Sequence, residues 1–317
     1  MRAAVCLLVL VGLALPVTAA ARRDGDVPAR SARTSEDRAV LKTPGTLMVL
    51  LRGGHFRMGS TVPELVVAQE MCRLEPLGRE CRNVEFANFS NEMVAHEVML
   101  ADYWLDRTEV TNEAYRRCVD AGVCEPAPYE AAEAWRAADN LPVTLVSWYD
   151  ALAYCQWRGA RLPSEAEWER AAKGWNQRTF PWGDTYNPKL CNHGQFSFER
   201  IDDGDGYAEL APVDAYPQGR TPEGIAGLAG NVEEWVNDWY GPFPDADVVD
   251  PAGPSTGEHR VLRGGSFLTG RPWMRGARRS HDTPSSRRPD VGFRCARDHE
   301  RRIATPDTTV TTPPPSP

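Results

Sequence analysis

The sequence predicts an α+β domain rich in irregular structure, and three observations carry that reading. Three stretches combine helix caps with helical apolar spacing, and several short extended runs are bounded by Gly, Pro and Asp. The 26 Gly and 26 Pro among 317 residues supply too many turn formers for long regular elements. In chain order, extended runs are expected over 46–51 and 98–105. A helix capped by Thr111 follows to about 121, with Tyr115, Cys118 and Val119 on one face and Gly122 as its stop. Ser147 and Asp150 form a capping-box pattern for a second helix, in which Trp148, Ala151, Leu152 and Cys155 recur at helical spacing up to Gly159. Ser164 and Glu167 repeat that pattern, with Trp168, Ala171 and Ala172 facing inward and Gly174 ending the helix. A last extended run is read over 260–263.

Composition excludes several function classes. Ten Trp, nine Tyr and nine Phe, with 42% hydrophobic residues, are enough for a core and exclude disorder throughout. The turn formers exclude a coiled coil or helical bundle. A formal charge of −8 repels nucleic acid and anionic membrane, so neither is expected as a partner.

The N-terminus reads Met1, Arg2, an uncharged apolar run, Pro16 and then small residues to Ala21, the order of a secretory signal peptide over 1–20. The uncharged stretch just reaches membrane-spanning length, but Pro16 and its alanine-rich end favour cleavage, so no stable membrane span is expected. Export to a periplasmic or extracellular space follows, and seven cysteines at 72, 81, 118, 124, 155, 191 and 295 remain. In an oxidising compartment they suit three disulfides and one odd thiol. Residues 21–43 read as a disordered linker and 304–317 as a disordered Thr/Pro tail. Aromatics and glycines are spread evenly over 44–303, which reads as a single domain.

Specific strings then accumulate: GGHFRMGS at 53–60, EVTNEAY at 109–115, PVTLVSW at 142–148, AYCQWRGARLPSEAEWE at 153–169, PWGD at 181–184, GNVEEW at 230–235, LRGGSF at 262–267 and GFRC at 292–295. In this order, over nearly the whole span 44–298, the sequence resembles the formylglycine-generating enzymes, or sulfatase-modifying factors. The resemblance implies a C-type-lectin-like, loop-rich α+β fold stabilised by calcium and disulfides. It also implies that Cys155 pairs with Cys295, while Cys118 with Cys124 and Cys72 with Cys81 are the local pairs and Cys191 is left over. Members of this superfamily include copper oxidases, iron enzymes and proteins without known catalysis, so the fold alone does not choose a function.

In the copper oxidases two reactive cysteines follow the GGS turn, because Cu(I) prefers thiolate ligands. Here Thr269 falls on the first position and Met274 near the second, and neither side chain replaces a thiolate. Cys295 matches a structural cysteine and Cys191 belongs to another loop, so copper is not expected. The six histidines, at 55, 96, 193, 259, 281 and 299, show no metal-binding spacing that would suggest iron. Ser266 has no sequence-evident base and reads first as a turn residue.

Twelve arginines lie between 260 and 302 against four acids. One reading makes Arg271, Arg275 and Arg279 the floor of a cleft for a carboxylate, sulfate or acidic peptide; the other pairs them with acids elsewhere in the domain. By resemblance Arg279 matches a substrate-cleft arginine, and Glu233 departs from the usual Trp. The resemblance also places one calcium site on Asn192, the carbonyl of His193, Asp205 and the carbonyl of Tyr207, in keeping with the oxygen-rich loop 202–206. A weaker second site comprises Glu234 and the carbonyls of Gly230 and Val232, with Gly227 lacking the usual side-chain oxygen. The expected function is an exported, calcium-stabilised binding or scaffold module for a peptide, glycan or protein, without formylglycine-generating activity, in effect a pseudoenzyme. The alternative is an oxidoreductase of the formylglycine-generating or non-haem iron superfamily, acting on a protein or small molecule.

Overall fold

The first helix of the domain buries a narrow face of Leu65, Ala68 and Cys72 and leaves other apolar residues outside. In the computed structural model, which describes residues 40–43, 46–75, 89–195 and 202–299, α1 spans Val62–Arg73 and starts at a capping box between Thr61 and Glu64. Val62, Val66 and Val67 remain exposed while Ala68 and Cys72 are buried, so the inward stripe is blurred in the sequence and this helix is an addition to the three predicted. The other three form where caps place them. Thr111 accepts the Ala114 N–H at the start of α2 (Asn112–Asp120), and Ser147 and Asp150 cap α3 (Trp148–Trp157) reciprocally. Ser164 and Glu167 do the same for α4 (Glu165–Lys173).

Short strands build three sheets among the described residues. β1 (Val40–Thr43), β2 (Thr46–Leu51), β5 (Tyr103–Asp106) and β11 (Ala296–Asp298) pair in that order, so the start and end of the domain share one sheet. β10 (Val291–Phe293), β6 (Glu233–Trp239), β8 (Arg260–Arg263) and β9 (Arg279–Asp282) form the second. β3 (Gly54–Met58), β4 (His96–Leu100) and β7 (Val248–Val249) form the third.

Two sequence expectations change here. β1 pairs antiparallel with β2 through four residues, inside the segment read as linker, because a strand at a sheet edge needs only backbone partners and no apolar composition. The single extended run over 98–105 is two strands of different sheets. Asp102 breaks it, accepting the Gly53 N–H and the Arg52 guanidinium, while the Ala101 N–H turns to Asp250. The signal peptide over 1–20, the tail over 304–317 and Cys81 lie outside the described residues. Among those described, no helix is long and apolar enough to cross a membrane.

One of two main apolar clusters joins Phe56, Val98 and Leu105 to Trp168, Val236 and Val261, with α4 at its centre. A second cluster packs Tyr115, Trp148, Tyr154, Trp235 and Phe293 around two disulfides, Cys118–Cys124 and Cys155–Cys295. The latter ties α3 to the turn before β11. Cys72 is also disulfide-bonded, and Cys191 is buried and free.

Every residue of α4 is buried, not only the predicted face of Trp168, Ala171 and Ala172. Its charges are therefore all paired internally. Glu165 and Glu169 hold Arg263, Glu165 also holds Arg279, and Glu167 holds Arg161. Lys173 caps the carbonyls of Arg57 and Gly59. This arrangement sets β8 and β9 against the helix and so aims the turn that follows β8.

Candidate functional site

After Arg263 the chain turns through Gly264 and Gly265, at φ +98° and +69°. Glycine is required at 265, since a Cβ would lie 2.8 Å from the Thr269 Oγ1 and 2.9 Å from the Trp273 carbonyl oxygen. The turn is closed by its own side chains. Thr269 Oγ1 accepts the Ser266 N–H at 2.8 Å and donates to the Ser266 carbonyl at 3.1 Å. Ser266 Oγ donates to Asp290 at 2.9 Å. The hydroxyl at the first expected reactive position is therefore a turn brace. Met274 is fully buried, packed with Phe180, Cys191 and Ala229. Burial pushes the Cys191 thiol up from its ordinary value, which keeps it protonated and unreactive.

The three arginines do not share a cleft floor. Arg275 is buried and makes a bidentate pair with Glu92 at 2.8 and 2.6 Å. Arg279 is buried against Glu165 at 2.6 and 2.8 Å and donates to the carbonyls of Asn91 and Gly241. Arg271, partly exposed, faces Glu75 at 3.4 Å and lies over the Tyr186 ring. The acid-pairing reading is thus the one realised, because a guanidinium leaves water only against a carboxylate and hydrogen-bond acceptors.

Around Ser266 the balance is acidic instead. Arg288 bridges Glu233 at 3.0 Å and Asp290 at 2.7 Å, with Asp282 at 3.8 Å. Burial raises the Glu233 carboxyl and Asp290 adds to that, against the pull of Arg288. Sequence reasoning found Glu233 but missed Asp290 and Arg288, whose only signal was their position just before GFRC.

The expected calcium residues fall into two groups. Asn192 is 1% exposed; its Nδ2 donates to the Glu209 carbonyl and to Asn231, while its Oδ1 has no partner among the described residues. Asp205 accepts the N–H groups of His193 at 2.6 Å and Tyr207 at 2.9 Å, which brings together the two residues expected to supply carbonyls. Gly230, Val232 and Glu234 lie across the turn, where Gly230 donates to the Gly264 carbonyl and bridges Asn192. Glu234 is already engaged by Arg294 at 2.6 Å through two nitrogens and by the Trp168 indole at 2.9 Å. Glu109, which sequence reasoning missed, fills the space left by Gly227: a Cβ there would meet its Oε2 at 2.2 Å. Burial and the nearby Glu234 lift the Glu109 carboxyl to about 7 against Arg294. Among the described residues no three His, Cys, Asp or Glu side chains are grouped so as to hold a metal ion by themselves.

Small sheets around a buried helix, loops carrying the oxygen donors and a disulfide from α3 to the GFRC turn define a C-type-lectin-like domain of the formylglycine-generating type. A family model for the sulfatase-modifying factor enzyme 1-like domain matches residues 32–299, and the chain belongs to that family. It is 46% identical to the formylglycine-generating enzyme of Streptomyces coelicolor over 50% of this chain and 53% of that one. Identity to the Bos taurus formylglycine-generating enzyme is 33%, over 81% of this chain and 76% of that one. The inactive Cα-formylglycine-generating enzyme 2 of Mus musculus is 40% identical over 50% of this chain and 49% of that one. With the Streptomyces and mouse proteins, the match thus spans about half of the relative's length. The solved structure of PvdO from Pseudomonas aeruginosa shares the fold, with a TM-score of 0.60 at 24% identity over 82% of this chain and all of that one.

The ion-pair assignment has a direct test. Glu165→Ala leaves Arg279 buried without its acid and should destabilise the domain by about 3–5 kcal/mol, whereas Arg271→Ala should cost less, because that guanidinium is partly exposed and Glu75 keeps the backbone N–H of residue 271. Urea unfolding of both variants checks this, and equal costs would contradict it.

Proposed function

We propose that this protein is an exported member of the family in which cysteine oxidation has been lost and the domain serves as a calcium-braced binding module for a peptide or protein partner. One observation carries the reading: at the two positions where the resemblance expects paired thiols, Thr269 closes a turn and Met274 fills the core. A hydroxyl and a single buried thioether do not make a soft two-thiolate copper site. The nearby free cysteine, Cys191, is buried and held as a thiol. The mouse relative whose name calls it inactive is consistent with a family that tolerates such loss.

Calcium is supported by the donor chemistry of the loop pair. Asn192 Oδ1 is a buried oxygen with no partner among the described residues, which is costly unless a cation or water meets it. The Asp205 carboxylate lies among the same loops, and hard oxygens of this kind suit Ca²⁺. Residues Asn192 and Asp205, with the carbonyls of His193 and Tyr207, would hold the ion; its role would be to fix loops that contain little regular structure. The group around Glu234 suits a cation less, since Arg294 already compensates that carboxylate. Export is supported by the disulfides, which persist in oxidising compartments.

Two outcomes are expected. Chelation should lower the melting temperature of the wild type and leave Asp205→Ala unaffected; a wild type indifferent to chelator would contradict the calcium assignment. Incubation of the copper-loaded protein with oxygen and a sulfatase-motif cysteine peptide should leave the peptide mass unchanged. An aldehyde trapped by hydrazine would restore the oxidoreductase reading.

A further inference from the structure

A cavity of ≈ 440 Å³ opens on the far side of Arg279, between the start of α4, β4, β7 and the loop over 241–254. Its wall is apolar, built from Pro242, Pro244, Pro251, Pro254, Phe243 and Val248. Four polar side chains reach it: His96, Glu165, Asp238 and Arg279. Three of them are committed to the protein. Arg279 gives its N–H groups to Glu165 and to the carbonyls of Asn91 and Gly241. Glu165 in turn holds Arg263 as well. His96 donates from Nδ1 to the Val94 carbonyl at 2.8 Å and lies against the Phe243 ring at 5.1 Å.

Asp238 differs. It is 3% exposed, and its Oδ2 accepts the Glu165 N–H at 2.8 Å. Among the described residues no donor reaches Oδ1 and no cation forms an ion pair with the carboxyl. Gly253, at φ +71°, leaves room above this oxygen; a Cβ there would come within 3.0 Å of it. A buried carboxyl without a counter-ion is unfavourable, and burial first, then the Glu165 charge, lift it to about 8. The other charged groups facing it are Glu167 on α4, Arg279 on β9 and Arg260 on β8, with the His96 ring contributed by β4.

We propose that this cavity binds a small apolar primary amine, with the ammonium group pairing with Asp238 and the body packed against the proline and Phe243 wall. The size suits a compact ligand. An anion would meet Asp238 and Glu165 while Arg279 has its donors already engaged, so negative ligands are disfavoured. An ammonium supplies both the missing donor and the missing charge, forming a charge-assisted hydrogen bond to the carboxylate. At pH 7 the amine arrives protonated and the acid ionises as the pair forms, so one proton passes to the buffer for each ligand bound. This inference is independent of the reading of the 264–269 turn.

Calorimetric titration of the full chain at pH 7 with benzylamine, benzyl alcohol and benzoate tests it, run in two buffers of different ionisation heat. Benzylamine should bind saturably with release of close to one proton, and Asp238→Asn should weaken it by about tenfold or more. The same substitution removes an acid whose raised pKa disfavours folding as pH climbs from about 4 toward 8, so its melting temperature at pH 7 should not fall. Val249→Trp, at the exposed rim, should weaken benzylamine without touching Asp238. Benzyl alcohol binding as tightly as the amine would mean that a protonated Asp238 serves neutral acceptors and would overturn the proposal. Absence of binding by all three probes, or equal binding by Asp238→Asn, would overturn it as well.

Discussion

Glu165 and Glu169, buried on α4, hold the guanidinium groups of Arg263 and Arg279 inside the domain, and the rest of the structure is arranged around that contact. Buried charges are stable only when their partners stay in place, so the pairing fixes β8 and β9 against the helix. Lys173 and the Glu169 carboxylate extend the same network to the Gly59 backbone, which joins the third sheet to the helix. An apolar helix of the same volume would pack as well but would not select these strand positions so sharply. Among the arginines of the C-terminal third, Arg263, Arg275, Arg278, Arg279 and Arg294 are buried, so that part of the positive charge is structural and faces inward.

The turn over 264–269 inherits its position from Arg263 and its shape from Thr269 and Ser266. Asn231 joins it to the loops below, accepting the Phe267 N–H and receiving Asn192 Nδ2. The Glu234–Arg294 pair, with the Trp168 indole on the same carboxylate, fastens β6 to the GFRC turn, and the Cys155–Cys295 disulfide fastens that turn to α3. Calcium, on the proposed reading, would complete this frame at Asn192 and Asp205. A domain so braced keeps its surface geometry whether or not chemistry takes place there, which is how a family can retain a fold while changing a site.

Local signals were legible and long-range ones were not. The three capped helices could be read because a cap and its stop lie within a dozen residues. α1 escaped because Val62, Val66 and Val67, apolar but facing outward, blur its inward face of Leu65, Ala68 and Cys72. The break at Asp102 escaped because its partners, Gly53 and Arg52, come from about fifty positions away. The arginine question stayed open for the same reason, since Arg279 meets Glu165 across 114 residues and Arg275 meets Glu92 across 183. The Cys155–Cys295 bridge came from family resemblance, with a separation of 140 residues that no local pattern marks. Asp238 and Glu109 had no sequence signal, because what distinguishes them is burial without a full set of partners. Thr269 and Met274, by contrast, were visible as departures from a motif, and the structure supplies the reason each is tolerated.

On the proposed reading, the side chains at 269 and near the second position, at 274, separate this domain from the copper oxidases that its sequence resembles. Competition for Cu(I) against a chromophoric chelator, comparing the wild type with the Thr269→Cys, Met274→Cys double variant, tests it most directly. The account predicts that the wild type leaves the chelator complex intact and that the double variant withdraws copper from it. Wild-type protein that takes Cu(I) as avidly as the double variant would contradict the account.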